Sequence, residues 1–381
     1  MRRKKIRFGV IGLGLMGKEF GSAAARWCHL LTDGPVPEII GVCDTNKEAH
    51  AWFLNNFPSI KIASQDYHDL ISFKQIDAIY CAVPHNLHEK IYIDSINAKK
   101  HFMGEKPFGI DQAANSNILK AVEKNKDVVV RCCSEFPYFP GAQRLINWIK
   151  EEKFGRIIEV RAGFNHASDM DVTKPINWKR MVEYNGEYGC MGDLGIHTQH
   201  IPFRAGWIPK TVYALLSNLV PERPDGRGGT APCLTWDNAT LACEVTDKKG
   251  DSFPMFLETK RMDPGSTNTW YVEVYGMKAS ARFTTEDPRS FYYLEAKGKE
   301  QAWSRLNTGY TPLIPSITGS IFEFGFTDAI LQMWAVFLKE IEGNEPPSFG
   351  CFTPEETRIS HALQTAALKS NKKKTVEPVI I

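Results

Sequence analysis

A chain of 381 residues with 46 basic and 44 acidic side chains has a formal charge of only +2, and its cationic runs, Arg2 to Lys5 and Lys372 to Lys374, are short and terminal, which excludes an electrostatically driven nucleic-acid partner. Its 43% hydrophobic and 24% charged composition suits a soluble enzyme with room for two domains, and no apolar stretch is long enough for a membrane span. The nine cysteines are odd in number, scattered and without Cys-x-x-Cys spacing, which predicts a reduced cytoplasmic chain without a cysteine zinc site.

In chain order, Phe8 to Gly17 predicts a short apolar strand that runs into Gly12-x-Gly14-x-x-Gly17 and then into a helix. Glycine permits the tight turn, lets the backbone approach a pyrophosphate and brings helix and strand close, while the helix start at Leu15 and Met16 offers free N–H groups and a positive dipole to the anion. Arg2 to Lys5, followed by an apolar stretch and Ser22 to Ala25, imitates a secretory leader. Removing that segment would delete the first strand and its turn, so it reads as folded protein. Pro37 to Asp44 predicts a second strand closing on a carboxylate, placed to accept hydrogen bonds from ribose hydroxyls and to repel a 2′-phosphate, which favours NAD over NADP. The alternative is that Asp44 caps a helix starting near Asn46. A third strand, Ala78 to Val83, ends at Pro84-x-Asn86-x-His88 before a helix through Ile96. This alternation predicts a parallel, doubly wound sheet.

Around the fourth strand stands Glu105-Lys106-Pro107. Proline restricts the preceding residue to extended geometry, which aims Lys106 out from the carboxyl edge, where ligands of open α/β sheets bind; the alternative is a surface lysine. Gly189 to His200 predicts a helix entered through a glycine-rich loop, with Asp193 and His197 four apart on one face. Histidine exchanges a proton near neutrality and a neighbouring carboxylate supports its charged form. An ordinary helix pair and a zinc site through His200, which lacks a third ligand, are the alternatives. In the second half, Thr211 to Leu219, Ala239 to Val245, Phe253 to Thr259 and Trp270 to Tyr275 alternate as sheet strands, and Pro221 to Cys233 predicts an exposed excursion between them.

Taken together, the glycine turn, Asp44, Pro84-x-Asn86-x-His88, Glu105-Lys106-Pro107 and Asp193-x-x-x-His197 resemble, in that order, the glucose–fructose oxidoreductase, inositol dehydrogenase and rhizopine-catabolism family. Gly155 to Val160 is similar to the first strand of the family's second domain, and Ser360 to Ser370 to its returning terminal helix. The resemblance implies an α/β fold: an NAD-binding Rossmann domain over 1–132, a substrate-binding and oligomerisation α+β domain over 133–353 with an open, mostly antiparallel sheet, and a returning helix and tail over 354–381. One sheet face would cover the site and the other build a homodimer or homotetramer.

The resemblance also implies a hydride moved between a sugar-like alcohol and NAD, with no metal. The cofactor would be held by Gly12, Gly14, Leu15, Met16, Gly17, Asp44, Pro84, Asn86, His88, Glu105 and Lys106. Lys106 would bond the reacting hydroxyl, His197 act as acid or base, and Asp193 orient that pair. His197 is preferred as the base because its ordinary pKa lies near neutrality, whereas Lys106 would need a large depression. Relatives often carry an arginine before an aromatic residue after the lysine strand. Here the segment is Ser134 to Pro140, and Tyr138 either presents its hydroxyl to cofactor or substrate or serves as a core aromatic. Lys174 to Arg180 would lead into the sugar pocket, with Trp178 covering sugar C–H groups and Lys174, Lys179 and Arg180 reaching substrate oxygens, although one of two adjacent cations must be structural. With Lys260 and Arg261 these cations permit an anionic sugar. Two further schemes use the same residues: an NAD-requiring glycosidase working by transient oxidation, and a non-catalytic NAD or sugar sensor.

Overall fold

The structure, a computed structural model, describes residues 3–343 and 348–381; Arg2 of the basic run lies outside the described residues. Six parallel strands, β1 (Lys5–Ile11), β2 (Val36–Cys43), β3 (Ile62–Ser64), β4 (Ala78–Cys81), β5 (His101–Gly104) and β6 (Val130–Cys132), lie in the order β3-β2-β1-β4-β5-β6. Helices α1 (Leu15–Ala25), α2 (His50–Asn56), α3 (Tyr67–Ser72), α4 (His88–Asn97) and α5 (Gln112–Lys124) connect them. Strand β1 is central because both its faces are apolar: Phe8, Val10 and Ile11 are buried, with Phe8 opposite Ile39 on one side and Ala78 on the other. Strand order reverses between β1 and β4, so the carboxyl ends of β1, β2, β4, β5 and β6 open onto one crevice. The predicted doubly wound sheet is therefore present.

Beyond α6 (Pro140–Lys150) comes β7 (Ile157–Asn165), then α7 (Val182–Asn185) and α8 (Cys190–Ala205). Strands β8 (Ile208–Ser217), β9 (Glu222–Pro224), β10 (Thr230–Pro232), β11 (Asn238–Thr246), β12 (Ser252–Lys260), β13 (Thr269–Gly276), β14 (Ala279–Thr284), β15 (Ser290–Glu295) and β16 (Ser304–Asn307) follow. The chain closes with α9 (Phe326–Glu342), α10 (Pro354–Lys373) and β17 (Glu377–Pro378). Nine of these strands form a second sheet in the order β16-β15-β14-β13-β7-β12-β11-β8-β17. It is antiparallel except at β7 and β12. The alternation read from sequence sets its two faces: Leu241, Cys243, Met255 and Leu257 point inward against α8, and Val212 and Ala214 against α10. The excursion Pro221 to Cys233 is not simply exposed. It folds into the β9/β10 hairpin, anchored by the buried Arg223, which donates to the carbonyls of Asp169 (2.6 Å) and Asp171 (2.7 Å).

The two sheets are locked together by the last helices. Helix α9 lies against α1, where Trp334 packs 4.0 Å from Phe20 and 4.9 Å from Tyr80 between ring centres and meets Phe8 edge-on at 5.8 Å. Helix α10 bridges: Asn115 Nδ2 donates to Thr357 Oγ1 (2.9 Å), His361 Nε2 bonds the Pro107 carbonyl (2.8 Å), and Gln364 Nε2 donates to the Met191 carbonyl (3.1 Å). Buried apolar residues of both sheets form one cluster. Among the described residues no helix is long and apolar enough to cross a membrane.

Because Trp334 fills the gap between α9 and the first sheet, Trp334→Ala is expected to lower the unfolding free energy by about 3–5 kcal/mol in a urea titration. A loss under about 1 kcal/mol would show that α9 packs only peripherally.

Candidate active site

The three glycines of the first turn answer to different constraints. Gly12 has φ of 90°, and a Cβ there would lie 2.4 Å from the Ala82 carbonyl oxygen; a Cβ on Gly17 would lie 2.3 Å from the Gly12 oxygen. Gly14 instead has nothing within 4 Å of its Cβ position, which leaves an open approach to the backbone. Helix α1 starts at Leu15 with no side chain capping it, so its first N–H groups face the crevice. Asp44 accepts from the Leu13 N–H at 2.8 Å and from the Asn46 N–H at 2.9 Å. Asn46 itself caps the following turn, so Asp44 ties the end of β2 to the glycine loop rather than serving as the cap. These groups fit a dinucleotide: an open backbone at the helix start for a pyrophosphate and a carboxylate at the next strand end for a ribose.

A cleft of about 530 Å³ runs from Asp44 past Gly14, Leu15, Met16 and Pro84 to Glu105, Lys106, Trp178, Lys179 and Asp193. Two residues of the Pro84 motif lie elsewhere. Asn86 is exposed and off the cleft, and His88 is buried beneath it, stacked 4.6 Å from Tyr92. His88 takes the Gly109 N–H on Nδ1 (3.4 Å) and bonds the Val83 carbonyl through Nε2 (3.1 Å). Burial pushes it down to about 3, so a neutral ring props the turn that carries Pro84. The histidine that reaches the cleft is His85.

At the cleft's inner end one carboxylate collects three cations. Lys106 Nζ donates to Asp193 Oδ1 at 2.7 Å; Lys179 Nζ and Arg261 donate to Oδ2 at 3.0 and 2.9 Å. Asp193 is 3% exposed. Burial alone would raise its pKa, but Lys106, Lys179 and Arg261 outweigh burial and hold it well below the usual range. Lys106 shows the complementary balance: burial pulls it down, while Asp193 and Glu105 bring the net direction up, keeping it charged. Lys179 moves the other way, lowered by burial and by the neighbouring cations despite Asp193.

His197, one turn further along α8, is not paired with Asp193. Its Nδ1 lies 3.8 Å from Glu135 Oε2, and its ring stands nearly perpendicular to the neighbouring rings of Phe136 and Phe164, each 5.2 Å away. Burial, then the Lys106 charge, hold its pKa well below the ordinary value. Of the pair that Asp193 was expected to orient it bonds Lys106 and not His197; burial keeps the imidazole neutral, and the carboxyl group facing it comes from the loop after β6. Neither Glu135 nor His166, at the end of β7 and pushed down to about 4 by burial, stood out in the sequence. The one signal for Glu135 is a carboxyl residue just past a parallel strand's carboxyl end, in an otherwise apolar segment.

Besides His197, which is not among the residues lining the cleft, three expected substrate contacts lie away from it. Tyr138 is fully buried in the core, its hydroxyl facing Cys351 Sγ at 3.7 Å and its ring near Phe349. Arg180 is buried between Asp169 and Asp237, a structural pairing that leaves Lys179 as the cation facing the cleft. Lys174 is exposed and donates to the Ser168 carbonyl (3.1 Å). With Lys260 on Glu258 and Arg261 on Asp193, the five cations are dispersed, and among them only Lys179 and Arg261 meet, on Asp193. Trp178 does line the cleft, edge-on to His85 at 5.0 Å. Among the described residues no cluster of three or more His, Cys, Asp or Glu side chains could hold a metal, and His200 packs against Phe349 and Phe352.

Residues 6–132 match a family described as oxidoreductase family, NAD-binding Rossmann fold. The levoglucosan dehydrogenase of Pseudarthrobacter phenanthrenivorans is 26% identical over 293 residues, 74% of each chain. The inositol 2-dehydrogenase of Salmonella typhimurium is 24% identical over 163 residues, 43% of this chain and 47% of that one. Among solved structures, a levoglucosan dehydrogenase in complex with NADH and L-sorbose matches with a TM-score of 0.87 at 21% identity, covering 99% of both chains. An oxidoreductase domain protein from Kribbella flavida reaches 0.88 at 19% identity, covering 99% of this chain and 100% of that one. At these identities the structural likeness speaks to the fold.

Removing the negative charge of Asp193 leaves three cations facing one another, so Asp193→Asn is expected to cost about 3–5 kcal/mol of stability. Because the folded pKa is depressed, the contribution is full above the unfolded value near ~3.9 and is lost as pH falls through the folded value. Urea titrations should therefore show a constant gap between wild type and variant from neutrality to about pH 5, closing only in stronger acid. A gap that closes between about pH 8 and pH 6 would refute the assignment.

Proposed function

We propose that the chain is a member of the Gfo/Idh/MocA family of NAD-binding oxidoreductases, whose Rossmann-fold model its residues 6–132 match, and that it exchanges a hydride between a neutral sugar or polyol hydroxyl and NAD. The observation that carries this reading is the continuity of one cleft from the glycine turn and Asp44 to Lys106 and Asp193. Gly12, Gly14 and the start of α1 would hold the pyrophosphate, and Asp44 the adenosine ribose. Bound NAD supplies the oxidising power, accepting hydride from the alcohol carbon.

The chain's own residues supply the rest. Lys106, kept charged by Asp193, donates to the reacting oxygen and stabilises negative charge on it. His197, held neutral by burial, accepts the hydroxyl proton through Nε2. Trp178 offers a flat face to sugar C–H groups, and the buried inner wall keeps water from the reacting carbon. Levoglucosan and inositol, named for two relatives, are both uncharged polyhydroxyl compounds, which favours a neutral substrate over the anionic glycoside of the glycosidase scheme. For assembly, the outward face of the second sheet, where Leu215 and Ile158 are exposed, is the surface we assign to a homo-oligomer.

The test is purified protein with NAD and a panel of neutral sugars, polyols, uronates and sulfosugars, each free and as an aryl glycoside, following NADH and aglycone together. Stoichiometric NADH from a neutral substrate is expected; NAD-dependent aglycone release without NADH would replace the reading by the glycosidase. Lys106→Met should lower kcat by roughly 10²–10⁴-fold while NAD binding stays within about threefold. Asp44→Asn keeps the shape and removes the charge, so the preference for NAD over NADP should fall by roughly tenfold or more. An unchanged preference would show that Asp44 only ties the loop.

A further inference from the structure

The loop after β6 places a carboxyl where the active-site histidine needs one. Glu135 and His197 are both buried, at 5% and 3% exposure, and Nδ1 of His197 has no hydrogen-bond partner, with Glu135 Oε2 the facing polar atom at 3.8 Å. That separation is too long for a hydrogen bond by somewhat under 1 Å, a gap that catalytic pairs commonly close when ligand binds. Asp193 cannot take this part because its two oxygens are engaged by Lys106, Lys179 and Arg261. The histidine ring is packed on one side by Phe136 and Phe164, each 5.2 Å away, and Trp270 Nε1 donates to the His197 carbonyl at 2.8 Å.

We propose that Glu135 is the positioning residue of His197: carboxyl and Nδ1 share one proton, and its location decides whether Nε2 meets the substrate hydroxyl as acceptor or as donor. This rests on the sugar-dehydrogenase reading and deepens it. With Glu135 ionised, Nδ1–H donates to the carboxylate and Nε2 carries a free lone pair. When the substrate O–H bond breaks, oxygen keeps the bonding pair, Nε2 takes the proton, and the Nδ1 proton passes to Glu135. With Glu135 protonated, the carboxyl donates to Nδ1 and Nε2–H faces the substrate as donor, as the reverse reaction requires. No metal or second oxidant enters these transfers.

The charged surroundings set the pH at which one state gives way to the other. Glu135 faces Glu105 and Lys106 from the end of β5 and Glu19 from α1; His197 faces Lys106, Asp193 and His200 on its own helix, and His166 from β7. Burial, and after it the charge of Glu105, raise Glu135 to about 8. Alcohol oxidation should therefore rise with pH to a plateau above about 8, and carbonyl reduction should be favoured below it.

Glu135→Gln tests the assignment, since glutamine fills the same space and bonds Nδ1 without titrating. The expected result is kcat for oxidation lower by roughly tenfold to a hundredfold, KM within about threefold, and loss of the rise near pH 8. A merely structural glutamate would leave that rise in place, and a variant profile parallel to wild type overturns the proposal. An independent readout is ¹⁵N NMR of the histidine side chains in the NAD-loaded protein, with His197→Gln to assign the signal. Exchange of the His197 tautomer near pH 8 in wild type and its absence in Glu135→Gln supports the pair even if no sugar in the panel is turned over, in which case the substrate reading fails alone. A His197 signal in one tautomer from about pH 6 to about pH 10 overturns the proposal whatever the kinetics show.

Discussion

One buried carboxylate organises this molecule. Asp193 sits on α8 with almost no exposure and is met by Lys106 from the end of β5, Lys179 from the turn before α7 and Arg261 just past β12. A charge so deeply buried is stable only if it is paired, and each partner comes from a different part of the chain. The ionic contact therefore fixes the first sheet, the substrate loop and the second sheet against one another. It also sets the local electrostatics: the anion that holds the assembly together keeps Lys106 charged, and because both its oxygens are engaged His197 meets another partner.

Helix α8 can present such groups because it is enclosed. Its residues from Cys190 to Phe203 are all buried, between the second sheet on one side and α10 on the other, so every polar side chain on it must be matched. The matches are long-range: Gln364 to the Met191 carbonyl, Trp270 to the His197 carbonyl, Lys106 to Asp193. Helix α10 carries the same constraint back to the first sheet through Pro107, immediately after Lys106, and Asn115. The lysine and the helix it faces are thus held by one frame, and the cleft between them is a consequence of how the two sheets are bolted together.

What could be read in advance followed physical locality. The glycine turn was legible because a positive φ at Gly12 and the close approach at Gly17 are demands on single residues, visible as glycines in the chain. Strands β11 and β12 were legible within a residue or so because alternation with period two is what a sheet with one buried face imposes. The hairpin β9/β10 was read as a plain excursion because the contacts that hold it, Arg223 on two carbonyls fifty residues earlier, leave no periodic trace. The sequence leaves Tyr138 open between site and core, and Arg180 between substrate and structure, for a related reason: an arginine or tyrosine has the same letter whether it faces substrate or is buried against Asp237 or Cys351.

By itself, then, the sequence determined the parallel first sheet, the cofactor turn, the alternating second sheet and the short list of residue types from which a hydride-transfer site can be assembled, because each follows from constraints within a few neighbouring residues. The tertiary structure alone decided which of them meet. It gave Asp193 to three cations rather than to His197, set Glu135 opposite the histidine, buried His88 beneath the cleft and left His85 beside it. Pairing of buried charges is settled by three-dimensional proximity in a low-dielectric interior, where a shift of a few ångströms changes which partner wins, and no local pattern encodes that choice.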